Sequence, residues 1–150
     1  MFLGTHLTAF ACSRIPSGTI EAYLATEYRV DDPSRFTLLI GRRHQGLAAL
    51  LAGHKVGGAA VLTACNPYSK IASKTENERA QRNLADELDR RRLFHFPAHG
   101  VDPEEKWPAE ESLLVLGISL EEVADLGEKF RQNGAVWAAG DALPMLLLLR

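Results

Sequence analysis

The chain has 150 residues, of which 46% are hydrophobic and 24% are charged, and its net charge is −2. These values exclude a disordered tail, a collagen-like repeat and a strongly basic nucleic-acid coat protein. Two cysteines, Cys12 and Cys65, are too few for a disulfide framework, so we expect a reduced, cytoplasmic setting. The apolar run over 143–149 is far shorter than the ~20 residues of a membrane span, and the N-terminus lacks the basic start of a signal peptide.

Charge is unevenly distributed, with a net +4 over residues 1–75 and −6 over residues 76–150. The most basic run is Arg90-Arg91-Arg92, but Asp86 and Glu87 precede it by one helical turn. Pairs at that spacing neutralise each other on a helix, which favours a solvated, salt-bridged face over a phosphate-binding patch. We therefore expect neither a nucleic-acid nor a membrane partner.

The N-terminal part is predicted to be an arm over 1–16, followed by a single α+β domain over 17–150. Hydrophobic spacing and capping residues place the first elements of this domain. These elements are a helix over 20–27 capped by Ser17 or Thr19, a turn over 31–34, a strand over 35–41, and a helix over 45–53 that stops at Gly53.

From residue 59 onward the predicted order is β-α-β-β-α-β, followed by a C-terminal strand over 145–149. The six elements are a strand over 59–65, a helix from a Thr75/Glu78 capping box to 92, strands over 93–97 and 112–118, a helix from a Ser119/Glu122 capping box to 131 that Gly134 stops, and a strand over 135–139. An acidic loop over 98–109 separates the two middle strands. This order predicts a ferredoxin-like core over 59–139, preceded by an α-β-α extension, with strands 59–65 and 112–118 antiparallel at its centre.

Several residues with chemical potential have simpler interpretations. The histidines of His95-x-x-x-His99 have a zinc-like spacing, but they lie on a predicted strand with no supporting ligand motif, so no metal site is predicted. Cys65 closes an apolar strand, which favours a buried structural thiol over a nucleophile. No cofactor motif is present.

The predicted topology brings a polar group to one edge of the sheet, where strand 59–65 ends and strands 112–118 and 135–139 begin. A ligand site and a structural hydrogen-bond network explain this group equally well. Its predicted members are Asn66, Ser69, Asn77, Glu110, Ser112, Gln132 and Asn133. The N-terminus of the helix that contains Asn77 points to the same edge and offers free N–H groups to an anion.

Five segments of the chain resemble a bacterial family known as domain of unknown function 3293. They are Ala22-Tyr23 to Thr26-x-Tyr28, Leu62-Thr63-Ala64-Cys65-Asn66-Pro67-x-Ser69, Glu76-Asn77, Trp107-Pro108-x-Glu110-x-Ser112, and Gln132-Asn133 with Val136-Trp137. The resemblance spans residues 20–149 and implies a small stand-alone cytoplasmic bacterial protein, with no activity attached. The chain departs from the family pattern at Glu111, Leu113 and Gly134, where proline, phenylalanine and alanine are usual.

Two functions remain open from the sequence. The first is binding of a small polar or anionic ligand at the polar edge, where Glu110 is the one acidic residue suited to act as a general base; no nucleophile–base pair is visible, so catalysis is left open. The second is a protein-interaction or regulatory module that pairs through the terminal strand or the arm. The oligomeric state does not follow from the sequence.

Overall fold

A computed structural model describes residues 13–31 and 34–150, so most of the predicted arm and part of the predicted turn over 31–34 lie outside it. Within these residues the fold is α+β, as predicted. The helices are α1 (Ser17–Ala25), α2 (Gln45–His54), α3 (Lys74–Arg90) and α4 (Leu120–Lys129). The strands are β1 (Glu27–Val30), β2 (Phe36–Leu38), β3 (Gly58–Leu62), β4 (His95–Val101), β5 (Glu110–Leu116), β6 (Gly134–Ala139) and β7 (Met145–Leu148).

The described strands form one antiparallel sheet in the order β2-β1-β4-β5-β3-β6-β7. The predicted pairing of the two most apolar strands is confirmed, because β3 pairs with β5 and Val61 lies opposite Leu114. The predicted α-β-α extension is wrong by one strand. Residues 27–30 form β1, which β2 and β4 hold on its two sides, so the extension is α-β-β-α.

Helices cover both faces of the sheet, and β3 shows why its apolar run is continuous. Ala59 and Val61 pack on one face with the buried leucines of α2. Ala60 and Leu62 pack on the other face with α3 and α4. Neither face of this strand meets solvent, so its sequence is continuously apolar and does not alternate between apolar and polar residues. No helix in the described part of the chain is long and apolar enough to cross a membrane.

Several predicted helix ends are wrong by one or two residues. Ser73, not Thr75, caps α3 by accepting the N–H of Glu76 at 3.1 Å. Gly53 lies inside α2, which ends at His54 and is followed by Lys55 in the left-handed region at φ 56°. The capping box at the start of α4 is confirmed, since the side chain of Ser119 accepts the N–H of Glu122 and the reciprocal bond also forms.

The remaining corrections lie at the borders of helices and strands. The first helix begins at Ser17 and ends before Glu27, which belongs to β1, and no side chain caps its N-terminus. The predicted stop at Gly134 is wrong, because α4 ends at Lys129 and Gly134 is the first residue of β6.

Strand β4 continues through a proline that was predicted to end it. Pro97 pairs with Leu113 of β5, and residues 98–101 pair with β1, so the predicted loop begins four residues later than expected. The carbonyl of Pro97 accepts the N–H of Asp31 at 3.0 Å, just beyond the end of β1. A residue in an antiparallel strand directs its N–H and C=O to the same neighbour. Because Pro97 has no N–H, the sheet lacks one hydrogen bond from Pro97 toward the chain that follows β1. This position lies just beyond the end of β1, so no bond within the paired part of the strand is lost.

Candidate functional site

Three of the predicted site residues form one hydrogen-bonded group at the predicted edge. Asn66 follows β3 with a left-handed backbone at φ 48°, and its N–H donates to Oδ1 of Asn77 at 2.9 Å. Nδ2 of Asn77 donates back to Oδ1 of Asn66 at 3.0 Å. Nδ2 of Asn66 then donates to Oε2 of Glu110 at 2.9 Å. The end of β3, the first turn of α3 and the start of β5 are thus joined through one asparagine side chain.

The carboxyl group of Glu110 is the acidic group of this edge. Burial raises its pKa above the ordinary range, and the hydrogen bond from Asn66 opposes this only in part. Among the described residues, Oε2 accepts that one bond and Oε1 accepts none. Glu110 is half-buried, and Oε1 is not among the fully buried polar atoms that lack a partner, so it is reachable from solvent. Glu110 can therefore accept a hydrogen bond from a ligand, or donate one when it is protonated.

Tyr28 borders Glu110 through the register of the sheet. Tyr28 lies opposite Gly100 on β4, and Gly100 lies opposite Glu110 on β5. A Cβ atom at Gly100 would lie 4.0 Å from Cε1 of Tyr28, which is an ordinary van der Waals distance, so the ring lies directly beside this glycine. Burial raises the pKa of Tyr28, and Tyr23 and Glu110 add to the increase, so its hydroxyl stays protonated and donates to the carbonyl of Tyr23 at 3.0 Å.

A second group contains Ser69 and Asn133. Nδ2 of Asn133 donates to Oγ of Ser69 at 3.1 Å, and the same hydroxyl is hydrogen-bonded to that of Tyr23 on α1. Nη1 of Arg150 donates to Oδ1 of Asn133 at 3.3 Å. The guanidinium of Arg150 lies over the ring of Tyr68, 4.2 Å from its centroid.

The sequence did not predict Tyr23, Tyr68 or Arg150 as part of this edge. Tyr23 occurs in a segment that carries the family resemblance, which is the one signal that could have drawn attention to it. The position of Arg150 depends on the path of the chain after β7, which no local pattern encodes.

The other two predicted residues serve the fold. Ser112 is buried, and its hydroxyl donates to the carbonyl of Glu110 at 3.3 Å. Nε2 of Gln132 donates to the carbonyls of Cys65 and Phe130, both at 3.1 Å. The hydroxyl of Ser112 and Nε2 of Gln132 therefore satisfy backbone carbonyls of the fold.

Cys65 lies beside this edge as a buried thiol. Burial raises its pKa to about 11, and the hydrogen bond from Thr63 opposes the increase. Its Sγ lies 3.8 Å from Oε1 of Gln81, an atom that also accepts the N–H of Ala64. A thiol with this pKa is almost entirely protonated at neutral pH, so Cys65 lacks the thiolate that nucleophilic chemistry needs.

A small recess opens between α3 and α4, on the face of the sheet that these two helices cover. Its volume of about 10 Å³ is roughly what one water molecule requires, and its walls are mainly apolar. Thr63 and Gln132 are its polar members, and the apolar walls include Leu84 and Phe130. In this conformation it holds no small-molecule ligand of ordinary size.

The two histidines of the zinc-like spacing do not converge. Because both lie on β4, four residues apart, their Cα atoms are separated by about 13 Å. His95 bonds to Asp89 at 2.9 Å and His99 bonds to Asp31 at 2.8 Å. Over residues 13–31 and 34–150, no group of three or more histidine, cysteine, aspartate or glutamate side chains has the arrangement of a metal site.

Comparison with known proteins identifies a family but no activity. The sequence model of the family described as Protein of unknown function (DUF3293) matches residues 62–136, which is 75 of the 150 residues. This segment begins at the end of β3 and includes Asn66, Asn77 and Glu110. Searches of curated proteins and of solved structures found no significant match.

Proposed function

The chain belongs to the DUF3293 family, and we propose that it binds a small polar ligand at the edge formed by Asn66, Asn77 and Glu110. The observation that carries this proposal is the carboxyl group of Glu110, which is half-buried, is held by Nδ2 of Asn66, and has a second oxygen that accepts no hydrogen bond from the described residues. A hydrogen bond to a charged group contributes about 1.5–3 kcal/mol. A ligand that donates a hydrogen bond to Oε1 gains affinity from it.

The backbone beside Glu110 supports the same interpretation. Asn66, Tyr68 and Ser69 all have positive φ values, between 48° and 61°. Such conformations cost about 1–3 kcal/mol each for residues other than glycine and are concentrated at ligand-binding sites. Asn77 stabilises the first of them through its two hydrogen bonds to Asn66. The side chain that orients Glu110 is therefore itself fixed before a ligand arrives.

A thermal-shift screen of the full chain against amines, amides, amino acids, nucleotides and sugar phosphates tests this function. A ligand at 100 times its Kd adds about 2.7 kcal/mol to the stability of the folded state. We expect at least one ligand that stabilises the wild type and has at least tenfold lower affinity for Glu110→Gln. Glu111→Gln is the matched control, because Glu111 is the next residue, is exposed, and points to the other side of the strand.

Two outcomes count against this function. One is a screen in which no compound stabilises the wild type. The other is a ligand whose affinity falls equally in Glu110→Gln and Glu111→Gln, because that result shows that binding does not depend specifically on the carboxyl group of Glu110.

A second function, interaction with another protein chain, is favoured by the place of β7 at one edge of the sheet. Edge strands present unpaired N–H and C=O groups to which another strand can bind. Light scattering on the full chain and on residues 17–150 tests it. A monomer in both preparations, with no co-purifying protein, removes the support for this function.

We also propose a finer fold class for the segment that carries the site, and a cellular location for the protein. The order β4-β5-β3-β6 over residues 58–139 supports a ferredoxin-like arrangement of the segment that carries the site. The free, buried thiol of Cys65 supports a cytoplasmic location, where thiols stay reduced.

A further inference from the structure

Arg150 is held in place at the edge without a carboxylate partner. Its guanidinium lies 4.2 Å from the centroid of the Tyr68 ring, and one of its five N–H donors is used on Oδ1 of Asn133. Among the described residues no carboxylate oxygen lies within ion-pair distance of this guanidinium. The other donors at the rim of the guanidinium plane therefore have no protein acceptor in the described part of the chain.

The surface on which Arg150 rests is anchored to three elements. The N–H of Tyr68 donates to the carbonyl of Arg131 at 2.6 Å, which ties the loop after β3 to the end of α4. Asn133 fixes the opposite side through its bond to Ser69, and Ser69 in turn bonds to Tyr23 on α1. A guanidinium stacked on a fixed ring loses less conformational freedom when it binds an anion.

Two further cationic residues adjoin Tyr68. Lys70 is two residues from Tyr68 in the chain, and the carbonyl of Arg131 accepts the N–H of Tyr68. Both residues are exposed and form no ion pair among the described residues. By contrast, Arg90 of α3, Arg91 just after this helix and Lys129 of α4 all pair with Glu87. Among the described cations that form no ion pair, Arg150 is the one whose guanidinium lies over an aromatic ring.

We propose that Arg150, stacked on Tyr68 and held by Asn133, binds a carboxylate or phosphate group of the ligand. The planar edge of a guanidinium matches the two oxygens of such a group and binds them through parallel hydrogen bonds. This inference rests on the proposed ligand site and names the class of ligand: a small molecule with a hydrogen-bond donor for Glu110 and an acid group for Arg150.

The test uses inorganic phosphate and acetate, each titrated into the full ¹⁵N-labelled chain and followed by NMR. We expect saturable shifts of the Arg150 Nε–H signal and of the backbone amides near Ser69 with at least one of the two anions. The anion that binds more tightly identifies phosphate or carboxylate as the group recognised. Arg150→Gln should lower the affinity at least tenfold. Arg82→Gln, which changes an exposed arginine of α3 that forms no ion pair among the described residues, should leave it unchanged.

Tyr68→Leu provides a second variant, because it removes the stacking surface and keeps the charge. We expect it to weaken anion binding less than Arg150→Gln does, with an unchanged far-UV circular dichroism spectrum. Shifts that never saturate, or equal losses in Arg150→Gln and Arg82→Gln, overturn the proposal, since both indicate general attraction to positive charge.

The failure of this subsite is distinguishable from the failure of the ligand site. Glu110→Gln should retain phosphate or acetate binding, because it leaves Arg150 unchanged. Suppose that the protein binds neither anion but binds a neutral ligand with an affinity that depends on Glu110. This result refutes the role of Arg150 and leaves the site at Glu110 intact.

Discussion

At the scale of single residues, two consecutive glycines have opposite structural roles. A Cβ atom at Gly58, in the central strand β3, would lie 2.9 Å from the backbone oxygen of Ala138. That atom belongs to the paired strand β6 and cannot move without disturbing the sheet. We expect Gly58→Ala to lower the free energy of unfolding by about 1–3 kcal/mol.

Gly57 is the matched control for this substitution. Nothing lies within 4 Å of a Cβ atom placed there, so Gly57→Ala should be neutral or stabilise the protein by up to about 1 kcal/mol through the unfolded state. Urea unfolding of both variants measures the difference. Equal midpoints for the two would contradict the close approach of β6 to Gly58.

Glu110 gives the stability of the protein a defined dependence on pH. Its pKa in the folded state lies above the ordinary value of 4.5, so the unfolded chain loses this proton first as the pH rises. The folded state is then progressively disfavoured until the pH passes the raised pKa, and no penalty exists below pH 4.5. We expect Glu110→Gln, which has no such proton, to gain stability relative to the wild type as the pH rises from 4 to 7.

Urea unfolding at both pH values tests this expectation, with Glu111→Gln as the control. The amide oxygen of glutamine still accepts the bond from Asn66, so the comparison isolates the ionisation. If the two proteins differ by the same amount at pH 4 and pH 7, the carboxyl group of Glu110 is not desolvated in the folded state.

At the scale of elements, one carboxylate joins the two helices on the α3–α4 face. Glu87 of α3 accepts from Lys129 of α4 at 3.0 Å and also pairs with Arg90 and Arg91. These hydrogen bonds lower its pKa to about 2. Because the folded pKa is below the unfolded one, the pairing stabilises the fold above pH 4.5, and this contribution is lost as the pH falls toward 2.

Glu87→Gln should therefore lower the midpoint of thermal unfolding at pH 6 and have no effect near pH 2. Salt at 1 M should reduce the difference at pH 6, because the pairs are close to solvent. Glu78→Gln serves as the control, since Glu78 has one exposed lysine at 3.8 Å as its ion-pair partner among the described residues. A destabilisation that persists at pH 2 would indicate lost packing instead of lost charge.

The elements also show which parts of the fold a sequence can predict. The Ser119 capping box was predicted because both of its partners lie within one helical turn. Strand β1 was missed because its four residues gain stability from β2 and β4, which are far away along the chain or across a turn. The edge formed by Asn66, Asn77 and Glu110 followed from the order of the strands, whereas Arg150 reaches it by a path that only tertiary packing determines.

At the scale of the whole molecule, the sheet couples two separate apolar layers. Leu114 faces α2 and Val115 faces α3 and α4, and both are fully buried neighbours on β5. Trp137 packs with the layer that contains Val115. Because all the described strands belong to one hydrogen-bonded sheet, loss of one layer removes the support of the other. We therefore expect the two layers to unfold in one transition.

Leu114→Ala tests this coupling from the side opposite Trp137. The cavity should lower the free energy of unfolding by about 2–5 kcal/mol. In a Trp107→Phe background, which leaves Trp137 as the remaining tryptophan, its fluorescence should report the same lowered urea midpoint as far-UV circular dichroism. If fluorescence instead keeps the midpoint of the Trp107→Phe protein while circular dichroism shifts, the two layers unfold independently. Coincident shifts mean that a substitution beneath α2 reaches α3 and α4 through the sheet, which is the same framework that holds Asn66 and Glu110 together.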